Sequence, residues 1–356
     1  MTESPPDRKT PHTRRPRYRG THPRTFAEKY KELAPEQYPE VVAHVRERGK
    51  TPAGQHVSVL MEETLEVLSI RPGERGVDAT VGWGGHTERF LERLSPDGQL
   101  LALDADPIEL PKTEARLRRL GFGEDRLIVR RTNFAGLRTA IGAVGWHDGV
   151  DFVFADLGAS SMQIDDPARG FSFKRDGPLD MRMNPNRGLS AAQWLERASA
   201  VRFAEVLRAD ADEPHAREIA DALSAQRGRL STTSALTSAI REALRGRVPE
   251  DELDLAIRRV FQALRIEIND EFGALEALLR QLPGSLRPGG RVALLTFHSG
   301  EDGRVKKAFE AGRRAGLYDH VSEEIIRASA AERRSNPRSK SAKLRWARIG
   351  IGSPDG

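Results

Sequence analysis

Two aspartates at the ends of apolar runs are the residues best placed to do chemistry. Asp156 follows Asp151-Phe152-Val153-Phe154-Ala155 and leads straight into Leu157-Gly158. Asp104 closes Leu100-Leu101-Ala102-Leu103. Open α/β sheets bind ligands outside the carboxyl ends of their strands, so both carboxylates point to a ligand site. Before them lies the turn VDATVGWGGHTERF, in which Gly82, Gly84 and Gly85 allow close backbone approach and the next helix offers free N–H groups. Asp104, about 20 residues beyond the glycines, is spaced to accept hydrogen bonds from ribose hydroxyls. Together they predict a nucleoside-bearing cofactor. Thr87 stands where a dinucleotide fingerprint wants Gly or Ala, which disfavours a nicotinamide oxidoreductase without excluding it. A cofactor without a pyrophosphate fits better, and S-adenosylmethionine is one.

The sequence of 356 residues contains no cysteine. Disulfides, thiolate zinc sites, iron–sulfur clusters and cysteine nucleophiles are excluded, and no metal is expected. Methylation of carbon 5 of a pyrimidine, which normally needs a cysteine to add to the ring, is therefore closed. Methylation of an exocyclic amine needs in-line approach to the methyl donor and an acceptor for the amine proton. Asp156 is the first candidate acceptor and Asp180, in GPLDMRM, the second. Arg175, Arg182 and Arg187 in the same long loop are candidate grips on RNA phosphates. Thirty residues of Gly, Asp, Pro, Arg and Met after Asp156 exceed what a surface loop requires.

These residues need a parallel sheet to hold them. Strands are predicted at Gly76–Thr80, Leu100–Asp104, Leu127–Val129 and 151–155, with helices at Thr87–Leu94 and Thr113–Leu120 between them, an alternation that argues an α/β fold covered on both faces. Ser58 is read as the cap of a helix carrying Met61, Leu65 and Leu68 on one face. From Ser190 to about Leu282 the period becomes helical, with Leu253, Ile257, Phe261, Leu264, Ile268, Phe272, Leu275 and Leu279 at three- and four-residue spacing. The strand pattern then resumes at Arg291–Phe297. The expected organisation is a basic N-terminal extension over 1–55, a first core segment over 56–165, a substrate loop and all-helical insertion over 166–270, and the rest of the core with a basic segment over 271–356. Within the extension, residues 1–24 read as disordered and 25–50 as helical.

The sequence pI is about 9.6, and the positive charge gathers at the ends. Residues 1–24 hold seven Lys or Arg against two acids, and residues 327–348 hold eight against one. Such clusters suit a phosphate backbone, with Arg338, Lys340 and Lys343 as candidate RNA contacts. No apolar run reaches the roughly 20 residues of a membrane span and no apolar signal segment opens the chain, so a cytoplasmic protein is expected.

HVSVLMEETLEVL, the GWGGH turn, LDADP, DLGASSMQIDD, GFSFKRDGPLDMRM, FQALRIEIN, FHSGEDGRVK and NPRSKSAKLR follow one another in an order that resembles the bacterial 16S ribosomal RNA (cytosine-N4)-methyltransferase family, from about His56 to Arg348. GFSFKRDGPLDMRM is the most specific of these segments. The resemblance implies a doubly wound, Rossmann-like S-adenosylmethionine-dependent sheet with a helical domain inserted after the fourth strand. It implies methylation of a cytosine of the decoding region, with 16S ribosomal RNA or the small subunit as partner; it leaves a homodimer open. By motif position, Gly84, Gly85 and His86 would contact the methionine end of the cofactor. Asp104 would hold the ribose, Phe134 would stack near the adenine, and Asp156 and Gln163 would close the site. Three departures stand out: Gly300 and Gly303 flank Glu301-Asp302, expected to loosen the start of the following helix; ADADEPH at 209–215 replaces an aromatic-glycine-acidic pattern; and the N-terminal extension is unusual. A catalytically silent RNA-binding assembly factor is the other class that these departures and the basic ends permit.

Overall fold

The computed structural model describes residues 58–351; the N-terminal extension, with its predicted disordered and helical stretches, lies outside them. Seven strands form one sheet: β1 (Arg75–Asp78), β2 (Gln99–Asp104), β3 (Leu127–Arg131), β4 (Val150–Asp156), β5 (Leu286–Thr296), β6 (Tyr318–Val321) and β7 (Lys343–Ile349), in the order β3-β2-β1-β4-β5-β7-β6. Neighbours from β3 to β5 run parallel, whereas β7 is antiparallel to both β5 and β6. The chain winds outward from β1 to β3 and then returns to β4 on the other side of β1. That reversal opens a crevice at the carboxyl ends of β1 and β4, where α/β sheets place their ligands.

The strands are apolar on both faces because both are covered. Phe152 and Phe154 pack with Leu100, Ala102, Ala293 and Leu295 beneath α1 (Met61–Leu68), α2 (Gly85–Leu94) and α3 (Glu109–Arg119). Val153, Ala155, Leu101, Leu103 and Val292 face the other way, toward α4 (Leu137–Ala143). Between β4 and β5, ahead of one further helix, come the short α5 (Ser161–Asp165) and five helices: α6 (Ala191–Arg197), α7 (Ala200–Ala211), α8 (Ala216–Ala225), α9 (Thr233–Ala243) and α10 (Glu250–Asn269). Those five bury a separate core running from Phe171 to Leu264.

The helical pattern that reads as one run through Leu279 is broken at Asp270, which takes a left-handed conformation (φ 48°). Beyond it, α11 (Glu271–Gln281) turns Leu275, Leu278 and Leu279 onto the sheet core. Ser58 does not cap α1: Leu60 precedes the helix in a left-handed conformation with no side-chain cap. The Gly300 and Gly303 departure does not loosen α12 (Ser299–Arg314), which runs unbroken for 16 residues. A Cβ on Gly300 would lie 2.7 Å from the Phe272 ring, so the missing side chain makes room for an aromatic neighbour.

Candidate active site

The crevice is a cavity of about 390 Å³, within the range of small-molecule sites. Gly84, Gly85, His86, Asp104, Phe134, Asp156 and Gln163 all line it. The structure thus brings together every residue expected to meet the cofactor, from five separate segments.

Its first wall is the turn after β1. Gly84 has φ 83°, and a Cβ there would stand 3.0 Å from Thr113 Cγ2 and 3.2 Å from Leu117 Cδ1, so a side chain would be both strained and crowded. The Gly82 N–H donates to Asp104 Oδ2 at 2.8 Å, which ties the turn to the end of β2. Thr87 is explained by its hydroxyl, which donates to the buried Asp78 Oδ2 at 2.6 Å; the position serves a hydrogen bond rather than close helix packing. No side chain caps the start of α2, leaving its first amides to a ligand.

Asp104 also accepts from the Asp106 N–H at 2.9 Å. Burial pushes its carboxyl above the usual range, while the amides of Asp106 and Gly82 favour the charged form. Asp106, which sequence reasoning passed over, is the helix cap near Pro107: its Oδ1 accepts from the Ile108 and Glu109 amides. Its Oδ2 accepts from Gln163 Nε2 at 2.7 Å and Arg169 Nη1 at 2.8 Å. Gln163 therefore closes the wall by bonding Asp106, within a capping box with Ser160.

At the centre stands Asp156. A third of its side chain faces the cleft (31% exposed), and the buried Oδ1 has no hydrogen-bond partner among the described residues. Burial first, then the nearby carboxylates of Asp78 and Glu301, push its pKa up to about 8. His86 is buried against Phe154, with ring centroids 4.5 Å apart. Its Nε2 lies 3.1 Å from the Val59 carbonyl, which can only accept, so Nε2 carries the proton. Desolvation lowers the His86 pKa to about 4, keeping the ring neutral. Its Nδ1 lone pair then faces Asp156 Oδ2 at 4.0 Å.

Asp180 does not line the cavity. Its carboxylate accepts from Arg182 Nε at 2.8 Å and Nη2 at 2.7 Å. Burial raises its pKa, but the Arg182 hydrogen bonds outweigh that and hold it below the usual carboxylate range. The structure pairs Asp180 with Arg182 in the loop, outside the cavity that Asp156 lines. Arg187 is exposed and Arg175 half-buried, and neither side chain is paired among the described residues.

The C-terminal basic cluster divides. Arg338 lines the cavity, bonding Ser161 and pairing with Asp165 at 3.2 Å. Lys343 belongs to β7 and pairs with Asp302 at 3.1 Å, beside the buried Arg345, which pairs with the same carboxylate at 2.6 Å. Of the three residues expected at RNA, Lys340 alone is exposed and unpaired among the described residues, and it sits with Arg333 and Arg334 around α13 (Ala330–Ser335). Counting charge missed this division; the alternation KLRWARI was the available signal for a strand.

Among the described residues, six carboxylates line the cleft (Asp104, Asp106, Glu109, Asp156, Glu271 and Glu301) against two cations, Arg265 and Arg338. Arg169, Lys112 and Arg265 neutralise Asp106, Glu109 and Glu271, which leaves the carboxyls of Asp104, Asp156 and Glu301 toward a cationic nucleoside cofactor. The open α2 amides and Asp104 fit the methionine end and the ribose of S-adenosylmethionine. Glu271, His298 and Glu301 bring ligand atoms within 4.8 Å of one another, but Arg265 already supplies positive charge there, with Nε 2.8 Å from Glu271 Oε1.

Fold and site define an S-adenosylmethionine-dependent methyltransferase. A family model described as the MraW methylase family matches residues 53–349, and the chain belongs to that family. It is 49% identical to ribosomal RNA small subunit methyltransferase H 1 of Lachnoclostridium phytofermentans, over 98% of this chain and 96% of that one. It is 41% identical to ribosomal RNA small subunit methyltransferase H of Thioalkalivibrio sulfidiphilus, over 83% of this chain and 98% of that one. The first alignment takes in most of the N-terminal extension, so the extension is shared with at least one relative. Among solved structures, an S-adenosylmethionine-dependent O-methyltransferase from Thermotoga maritima is 10% identical with a TM-score of 0.40, covering 88% of this chain and 73% of that one. Family membership sets aside the nicotinamide oxidoreductase.

Asp104→Ala should weaken S-adenosylmethionine binding by about 1–3 kcal/mol, the range for a charged hydrogen-bond partner. Unchanged affinity in calorimetry would take Asp104 out of the ribose site.

Proposed function

We propose that this protein transfers a methyl group from S-adenosylmethionine to the exocyclic N4 amine of a cytosine in the decoding region of small-subunit (16S) ribosomal RNA. The observation that carries the proposal is the Asp156 carboxyl, at the end of the central strand β4, which opens a third of its side chain to the cleft and makes no hydrogen bond among the described residues. A carboxyl that faces a cleft without a hydrogen-bond partner is completed by a ligand donor, and an exocyclic amine is such a donor. The absence of cysteine closes the ring-addition route to carbon 5. Relatives named as small-subunit ribosomal RNA methyltransferases support the substrate class.

S-adenosylmethionine, when bound, supplies a methyl on a positively charged sulfur. Asp104 holds the ribose, the α2 amides receive the carboxylate of the methionine end, and Phe134 flanks the base. Asp156 accepts an N4 hydrogen, aims the nitrogen lone pair along the line of attack, and takes the proton as the amine becomes acidic. His86, neutral and pinned by Val59, offers its Nδ1 to the Asp156 carboxyl when that carboxyl carries a proton. The cofactor is held by segments 56–165 and 271–356, and the target strand by segment 166–270 with the basic patch at α13. The site of action is the cytoplasm; among the described residues no helix is long and apolar enough to cross a membrane.

Tritiated methyl groups should pass from the cofactor to small subunits, or to their RNA, from cells lacking the gene. A protein that binds this RNA and cofactor but transfers nothing would be the silent assembly factor instead. Replacing Arg333, Arg334 and Lys340 with Ala should flatten the salt dependence of RNA binding by about 0.7–0.9 in log–log slope for each phosphate no longer neutralised. Lys343→Ala should leave the slope alone, because that charge is spent on Asp302. An unaltered slope in the triple variant would remove the α13 patch from the RNA interface.

A further inference from the structure

We propose that Arg265 is the residue by which the cleft tells cytosine from uracil; this rests on the N4-cytosine reading above. Arg265 lies one turn before the end of α10, where the helical insertion meets the sheet. Its guanidinium is fixed on one side only: Nε donates to Glu271 Oε1 at 2.8 Å and Nη2 to Glu271 Oε2 at 2.9 Å. The remaining nitrogen, Nη1, has no partner among the described residues and is not sealed in, and Arg265 lines the cavity. A Cβ on Gly158 would sit 3.7 Å from Nη2 and 3.8 Å from Nη1. The two terminal nitrogens, one of them free, therefore lie near Gly158, two residues beyond Asp156 in the chain.

Cytosine presents an amine donor at N4 beside a bare acceptor at N3; uracil presents the reverse, an acceptor at O4 beside an N3–H donor. Ionised Asp156 as acceptor and the permanently cationic Arg265 as donor, both lining the cleft, match the first edge and oppose the second at both positions. Arg265 keeps its charge at every accessible pH, and the pairing to Glu271 fixes its orientation before the base arrives. A hydrogen bond to N3 also draws electron density from the ring, so the amine yields its proton to Asp156 more readily.

The test replaces the target cytidine with 3-deazacytidine, in which N3 becomes C–H, and compares two enzymes on both RNAs. The wild type is set against Arg265→Gln paired with Glu271→Gln, so that no buried carboxylate is left unpaired. The intrinsic reactivities of the two bases cancel in the ratio of ratios. The wild type should prefer cytidine over 3-deazacytidine by about tenfold or more beyond the preference of the double variant. Equal preferences in the two enzymes would overturn the proposal, and so would a lost affinity for S-adenosylmethionine with the preference intact, which would place Arg265 on the cofactor. If the double variant does not fold, Arg265→Lys, which keeps the charge but not the fork, is read by the same ratio. A wild type that puts no methyl on N4 of cytidine would sink the functional reading itself, a separate result from the failure of Arg265.

Discussion

Asp156→Asn should lower the single-turnover rate of methyl transfer by about 10²–10⁴-fold at saturating cofactor, the usual worth of a positioned proton acceptor. The variant keeps the shape of the carboxyl and its place at the end of β4, but an amide cannot take the N4 proton. RNA affinity should hold, because the substitution removes no positive charge from the α13 patch. The same substitution has a pH signature. Burial, Asp78 and Glu301 raise the Asp156 pKa to about 8, so below that pH the cofactor-free protein holds a proton there. A cation binds the carboxylate form better, and that form grows as pH rises. Affinity for S-adenosylmethionine should therefore climb from about pH 6 to about pH 8 and level off above, whereas Asp156→Asn should remove that dependence. Before any cofactor binds, the sign for stability is opposite: the folded state holds this proton more tightly than the unfolded one, so Asp156 costs stability as pH rises from about 4 toward 8. A near-wild-type single-turnover rate in Asp156→Asn would end the proton-acceptor role.

Arg169→Met should cost about 3–5 kcal/mol of unfolding free energy, the range for removing one partner of a buried ion pair. The Arg169 side chain is 7% exposed and the Asp106 side chain 1%. Beyond its bond to Asp106, Arg169 donates through Nη2 to the carbonyls of Arg182 at 3.1 Å and Met183 at 3.0 Å. Asn269 holds the same loop from the insertion, accepting from the Met183 N–H at 2.7 Å and donating to the Met181 carbonyl at 2.8 Å. Met183 lines the cleft, so one arginine joins the cofactor wall to the substrate loop. Urea unfolding should show a lower midpoint at unchanged slope, with activity falling further than stability alone explains. Adding Asp106→Asn should recover part of the loss, since the stranded charge is then gone. A midpoint within experimental error of the wild type would mean that the pair does not hold the loop.

What could be read from the chain follows from the range of the interaction involved. Asp104 and Asp156 were legible because a parallel strand buried on both faces is a continuous apolar run, and a carboxylate ending such a run has few structural reasons to be there. The glycine turn was legible because its positive φ values demand that residue type. The Asp106–Arg169 pair was not, because its partners are 63 residues apart and each belongs locally to an unremarkable Asp-Pro or Pro-Ala-Arg turn. The pairing of Asp180 with Arg182 was hidden for a different reason. Met181 adopts φ 62°, which folds Arg182 back onto the carboxylate two positions earlier, a local chelate that spacing does not announce. The division within the basic C-terminal segment was not legible because net charge ignores where the counter-charges are; Asp302, about 40 residues upstream, pairs with Lys343 and Arg345 from within the fold.

Everything proposed for the cleft depends on the methyl group reaching the exocyclic nitrogen of a cytosine. After reaction with small subunits from cells lacking the gene, the RNA can be digested to nucleosides and the labelled product resolved by mass spectrometry against synthetic standards. A label that co-migrates with N4-methylcytidine, with the added mass on the base rather than the ribose, is the predicted result. A label in 5-methylcytidine, in a ribose-methylated nucleoside or in a purine would contradict it.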